Sequence, residues 1–194
     1  MMRLLPRLLN VDDLPSAELH AARIDGEVYA IGDWFSPIDE PESSEFRASA
    51  LAHLVPSRMI VERASALWVH GARSYPPFRH QLCSDIANRT TPHLSSRFEF
   101  RECRLDPVDI VQLGSLRVTS HLRTAIDLLR TCEPFSPSDA LDVLAVLRLG
   151  GSTMSECRHL IRAQPGYPGV RRALARTTLV ERWEPALHGR PVAQ

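Results

Sequence analysis

The period of the apolar positions changes several times along this chain, and each change marks an element. Phe46, Ala50, Leu51 and Leu54 recur at helical spacing and predict one buried stripe, which Pro56 and Ser57 end. Met59-Ile60-Val61 is a short apolar run better suited to a strand. Over 63–70 helical spacing resumes, with Ala66, Trp68 and Val69 turned inward, and Gly71 supplies a stop where positive φ is expected. Residues 80–86 alternate as a strand does, and 88–95 read as a polar loop. Residues 97–105 alternate more strongly, with Phe98 and Phe100 on one side, Arg and Glu on the other, and a bulge expected near Glu102. Residues 110–113 and 116–119 flank Gly114-Ser115 and predict a hairpin. Beyond it the pattern is helical. Ser120 caps 121–131, whose apolar face is Leu122, Ile126 and Leu129. Ser136 starts a helix carrying Leu141, Leu144 and Leu147, which Gly150-Gly151 ends. Thr153-x-x-Glu156 forms a capping box for the next helix, and a last one runs from about Val170 past Leu179.

The front of the chain is different. Residues 1–14 suggest a short helix or an arm, and Pro15-Ser16 offers a stop and cap for a helix over 17–23. Asp25-Gly26 is a turn, and Gly32-Asp33 joins two short β runs into a hairpin. A short helix followed by a hairpin is the second half of a winged helix-turn-helix; about 15 residues precede it, so a truncated version is expected. The Pro- and acid-rich run 36–44 marks the clearest boundary. The predicted fold class is α/β (mixed α+β). It comprises a truncated winged-helix-like element over 1–42 and a domain over 43–194, with a mixed sheet-and-helix core over 43–135 and a helical tail over 136–194.

Composition narrows the chemistry. The 194 residues are 44% hydrophobic and 24% charged, ordinary for a globular chain, and no apolar run approaches the ~20 residues that cross a bilayer. No signal-peptide pattern opens the chain, so a cytoplasmic location and no membrane partner are expected. All 23 basic residues are arginine, which removes lysine nucleophiles and the P-loop lysine from consideration. The zero net charge is unevenly spread. Residues 1–45 hold three arginines against ten acids, whereas 146–194 hold eight against three. Cys83, Cys103, Cys132 and Cys157 lie far apart and predict reduced, mostly buried thiols.

No complete active site can be assembled from these residues. The eight histidines include no H-x-x-x-H or H-x-E pair, and no G-x-G-x-x-G is present. Gly151-Ser152 lacks the paired carboxylates that a nucleotidyltransferase needs to hold Mg²⁺. Neither catalytic residues nor a cofactor nor a metal are therefore expected. The strongest alternative is a Mg²⁺-dependent nuclease of the PD-(D/E)xK or Vsr-like kind, or its inactive descendant, with Asp85 on one strand and Glu99-x-Arg101 on the next. An arginine cannot act there as a base, and alternating Glu and Arg is ordinary on a strand's solvent face. His70 is read as a packed or helix-dipole-stabilising histidine. Arg123 and Asp127, at i and i+4, are read as a structural ion pair. Arg158, Arg162, Arg171, Arg172 and Arg176 form a basic cluster that is either a solvated face or a partner-binding surface.

Two segments carry a resemblance. They are Ser65-Ala66-x-x-x-His70-Gly71, following the helix that ends Ala-Leu-Ala-His-Leu-Val-Pro, and Val118-Thr119 with Arg123-Thr124-x-x-Asp127-Leu128. Together with the helix and hairpin over 17–37, they make the chain resemble the AbiEi family of antitoxins from type IV (AbiE-type) bacterial toxin–antitoxin systems. The resemblance covers roughly residues 16–131. It implies a transcriptional regulator with a winged helix for operator DNA, an antitoxin domain, and a nucleotidyltransferase-like toxin as its functional partner. If operator DNA is bound, Arg23 at the end of the short helix and Arg3 and Arg7 from the arm are the expected phosphate contacts.

Overall fold

The computed structural model describes residues 6–88 and 95–188. The chain divides into two compact units, Met1–Ser57 with Leu113–Leu116, and Arg58–Gln112 with Arg117–Gln194. The expected boundary at residue 42 falls inside the first unit, because the helix after the acidic linker belongs with the elements before it. Among the described residues, no helix is long and apolar enough to cross a membrane.

In the first unit, α1 (Ser16–Ile24) is followed by a hairpin of β1 (Val28–Ile31) and β2 (Trp34–Pro37). Pro15 occupies the cap position of α1 without a side-chain bond, and Ser16 is already helical, so the serine cap expected from sequence is not made. Leu9 forms an antiparallel bridge with Phe35, with both backbone bonds made (2.7 and 2.9 Å). Leu9, Leu19 and Val28 form a small core with Phe35 packed against it. Then α2 (Ser44–Ala52) begins at Ser43, whose hydroxyl accepts from the Phe46 amide at 3.2 Å.

The second unit is built on a five-stranded sheet. Its strands are β3 (Ile60–Val61), β4 (His80–Asp85), β5 (Phe98–Cys103), β6 (Ile110–Leu113) and β7 (Leu116–Thr119), in the order β5-β4-β3-β7-β6. β3 is antiparallel to β4 and parallel to β7, and β4 is parallel to β5. The β4–β5 register is one-to-one from His80↔Phe98 to Asp85↔Cys103. The bulge expected near Glu102 is therefore absent; the irregular sequence there reflects the polar network described below and not a break in pairing.

The helices are α3 (Arg63–Val69), α4 (His121–Thr131), α5 (Pro137–Leu149), α6 (Met154–Ala163) and α7 (Val170–His188). Their starts follow the sequence signals. Ser120 accepts from the Arg123 amide, and Ser136 with Asp139 and Thr153 with Glu156 each close a reciprocal capping box. Gly71 has the positive φ (+86°) anticipated for it. The main core joins Leu67 of α3 with Leu129, Val143, Leu147, Ile161 and Val180. Within it α4 is buried on nearly every side, including Arg123, Thr124, Asp127 and Arg130. The amphipathic pattern correctly marks its apolar face, but its polar face meets an ionic network and not solvent.

Candidate functional site

The polar face of α4 lies beside the end of β5 and the start of α3, and six charged side chains meet there. Glu62, the residue between β3 and α3, is fully buried. Both its oxygens accept from Arg101 Nε at 2.8 Å, Oε2 also accepts from Arg101 Nη2 at 2.5 Å, and Oε1 accepts from Arg63 Nε at 2.9 Å. The Arg101 guanidinium stands 3.2 Å from Asp127, which also accepts from Arg123 Nε at 2.9 Å. Arg123 reaches Asp109 with its other arm at 2.6 Å. The intrahelical pair read from sequence is thus one link of a chain, buried at Glu62, Asp127 and Arg123, that runs Arg63–Glu62–Arg101–Asp127–Arg123–Asp109. Burial alone would lower the Arg101 and Arg123 guanidiniums. The carboxylates beside them outweigh it and hold both above their ordinary values. Arg63 adopts φ +48°, a left-handed conformation that costs a non-glycine residue ~1–2 kcal/mol.

Beneath this chain lie two thiols. Glu62, Cys83 and Cys103 bring ligand atoms within 4.8 Å of one another, a proximity hidden in sequence by separations of about 20 residues. As a metal cradle this set is poorly disposed. The Glu62 oxygens are saturated by arginine donors, and two guanidiniums stand where a further cation would be repelled. The hydrogen bond to Cys103, together with burial, keeps the Cys83 thiol protonated. All four cysteines are free thiols, and only Cys132 is not fully buried.

A second cluster joins the two segments that carry the family resemblance. His70 caps α3, and its Nε2 donates to the Thr119 carbonyl at 2.7 Å. The Thr119 and Thr124 hydroxyls are 2.7 Å apart. His70 and His121 stack with ring centroids 3.9 Å apart. Burial, only partly opposed by the bond to Thr119, lowers the His70 pKa to about 4. With that lowered pKa and its bond to the Thr119 carbonyl, His70 is a neutral ring packed in the fold.

The nuclease constellation is not brought together. Gln81 pairs with Glu99 while Asp85 pairs with Cys103, so the two carboxylates differ by four residues of parallel strand, roughly 13 Å at ~3.3 Å per residue. Glu99 accepts from Gln81 Nε2 at 3.2 Å, Asp85 accepts from the Ala87 amide at 3.2 Å, and Arg101 is committed to Glu62.

The expected contact residues fare differently. Arg3 lies outside the described residues. Arg7 is engaged by Glu40 at 2.8 Å and lies over the Phe46 ring. Arg23 is exposed in the last turn of α1. Of the basic cluster, Arg176 is buried, donating to the Leu129 carbonyl at 2.9 Å, and is a packing residue rather than a surface one. Arg158 is bound to Glu181 and Thr177, and Arg172 lies 2.5 Å from Glu133. Arg162 and Arg171 remain exposed.

Sequence reasoning missed Arg130, Arg104 and Tyr167, which line a cavity of about 330 Å³ with Arg101, Arg123 and Asp127. The only signal available was the density of arginines flanking β5 and α4. No family model and no curated protein matches the chain. Among solved structures it is similar to the Rv2827c protein from Mycobacterium tuberculosis, at 17% identity over 97% of this chain and 78% of that one, with a TM-score of 0.44.

Proposed function

We propose that this protein is a non-catalytic regulator of the AbiEi kind, an antitoxin that counters a nucleotidyltransferase-like toxin by surface contact in the cytoplasm. The observation that carries this reading is the convergence of the two resembling segments. His70 is bound to Thr119, Thr119 to Thr124, and Arg123 to Asp127. Motif residues that hold one another mark a shared scaffold and leave no free nucleophile, base or metal cradle among themselves. The separation of Asp85 from Glu99 weighs the same way, against a nuclease. Binding of operator DNA is the lesser half of the proposal. The bridge at Leu9, helix α1 and the β1–β2 hairpin follow one another as in the second half of a winged helix, and Arg23 is exposed for a phosphate. Residues 1–57 nevertheless hold four arginines against ten acids, so any such binding is weak and collapses with added salt.

The test is a search beside this chain's gene for one encoding a nucleotidyltransferase-like protein, followed by co-expression of the two. Relief of the growth arrest that protein causes supports the antitoxin reading; undiminished arrest, or the lack of such a neighbour, removes it. A gel shift on the chain's own promoter at low salt, with Arg23→Gln as comparison, tests the DNA half separately.

A further inference from the structure

The geometry points to a binding site for a small phosphate monoester in the cleft formed by the end of β5, the polar side of α4 and the α6–α7 connection. The cavity there measures about 330 Å³, at the lower end of the range that accepts small organic ligands and larger than inorganic phosphate requires. Four arginines line it: Arg101, Arg104, Arg123 and Arg130. They are not equivalent. Arg101 is neutralised by Glu62 and Asp127, and Arg123 by Asp127 and Asp109. Arg104 and Arg130 have no carboxylate within ion-pair distance among the described residues.

Arg130 is the telling one. It is 6% exposed, yet among the described residues only its Nε has a hydrogen-bond partner, the Pro168 carbonyl at 3.0 Å, and its guanidinium lies over the Tyr167 ring at 4.6 Å. A guanidinium offers five N–H donors, so its terminal nitrogens are left facing the cavity without an acceptor among the described residues. Burial disfavours the charged Arg130 guanidinium; Asp127 offsets this only in part, and Arg123 and Arg101 add like charge. An anion bound between Arg130 and Arg104 removes that cost. Two uncommitted monocations match the two charges of a phosphate monoester, and the planar guanidinium fork suits its oxygens. Asp127 and Glu102 also line the cleft; Asp127 is consumed by Arg101 and Arg123, so it does not repel an anion at Arg130 as a free carboxylate would. Tyr167 and Ile86 supply an aromatic and an aliphatic wall for the organic part. Gly169, with φ +80° and a Cβ position 2.8 Å from the Arg130 carbonyl, lets the α6–α7 connection come this close to α4.

This site stands or falls independently of the antitoxin reading. Isothermal titration of the full chain with adenosine 5′-monophosphate, ribose 5-phosphate, inorganic phosphate and adenosine, at constant ionic strength, is the test. The expected result is saturable binding of both monoesters, weaker binding of inorganic phosphate, and none of adenosine. Arg104→Gln, at the exposed rim, should weaken monoester binding about tenfold while leaving the melting temperature of the unliganded protein unchanged. Arg130→Gln should abolish binding; if that variant does not fold, Arg104→Gln alone decides. Absence of monoester binding at millimolar concentration, or unchanged affinity in Arg104→Gln, overturns the proposal. So does binding confined to a 5′-phosphorylated oligonucleotide, which would make the cleft a nucleic-acid contact.

Discussion

Arg101 reaches past strand β4 to clasp Glu62, its Nε lying 2.8 Å from each carboxylate oxygen, with Asp127 3.2 Å from the same guanidinium. Glu62 has no exposure to solvent. A carboxylate so placed is tolerable only because its lone pairs are filled by arginine donors. The pair ties the β3–α3 junction to β5, and through Asp127 to α4, so one charge fixes three elements.

Removing one partner of such a pair strands the other. Glu62→Ala should therefore cost ~3–5 kcal/mol of unfolding free energy in denaturant titration. The double replacement Glu62→Leu with Arg101→Met, which removes both charges and keeps apolar volume, should recover most of that loss. A cost below ~1 kcal/mol for Glu62→Ala would mean that the clasp is not formed in solution.

The His70 ring sets a pH limit on stability. Its pKa in the fold is lowered to about 4, against an unfolded value of 6.5. The unfolded chain therefore takes up a proton between these values while the folded chain does not, and stability falls as pH drops through that window. Fully present above pH 6.5, this contribution should decline by roughly 3 kcal/mol on reaching pH 4. The stacked His121, also lowered by burial, acts in the same direction. Melting temperatures of His70→Gln from pH 7 to pH 4 should fall less steeply than those of the parent; parallel curves would refute the assignment.

Much of the fold was legible because local signals act alone. Ser120, Ser136 and Thr153 start their helices where a side-chain oxygen followed by an acidic or apolar turn said they would. The two hairpins and Gly71 are equally local. The site was legible only in part. Arg123 and Asp127 are visible as a spaced pair, but Glu62, Arg101 and Asp109 join them through sheet register, which no periodicity encodes. The same holds for Cys83 and Cys103, diagonal neighbours on paired strands. Burial was misjudged at Arg176, read as part of a surface cluster yet 8% exposed, because its acceptor, the Leu129 carbonyl, is distant in sequence.

Gly150 ends α5 against the ring-bearing carbon of His121. Its φ of −85° is open to any residue, and an alanine in open space there would gain a few tenths to 1 kcal/mol by restricting the unfolded chain. The added Cβ, however, would lie 2.4 Å from His121 Cβ. Gly150→Ala should instead destabilise by ~1–3 kcal/mol, measured by thermal or chemical unfolding, as α4 and α5 are forced apart. Gly151→Ala meets no atom within 4 Å and suffers only its left-handed φ of +65°, worth ~1 kcal/mol. Equal or reversed costs would show that the close approach of Gly150 to His121 does not exist.

The thiols provide a chemical readout of the same packing. Cys132 is half-buried, and burial together with the nearby Asp139 pushes its thiol up to about 11. Near pH 8 about one molecule in a thousand then carries the thiolate that reacts with iodoacetamide. Labelling of Cys132 should be slow and should quicken about tenfold per pH unit up to pH 10. Cys83, Cys103 and Cys157 are buried and should stay unmodified until the fold opens. Because Glu62 lies against Cys83 and Cys103, Glu62→Ala should expose that pair first, visible as new labelled peptides by mass spectrometry under otherwise native conditions. Modification of Cys83 in the parent protein at the rate of Cys132 would contradict the closed arginine-covered core from which the other arguments start.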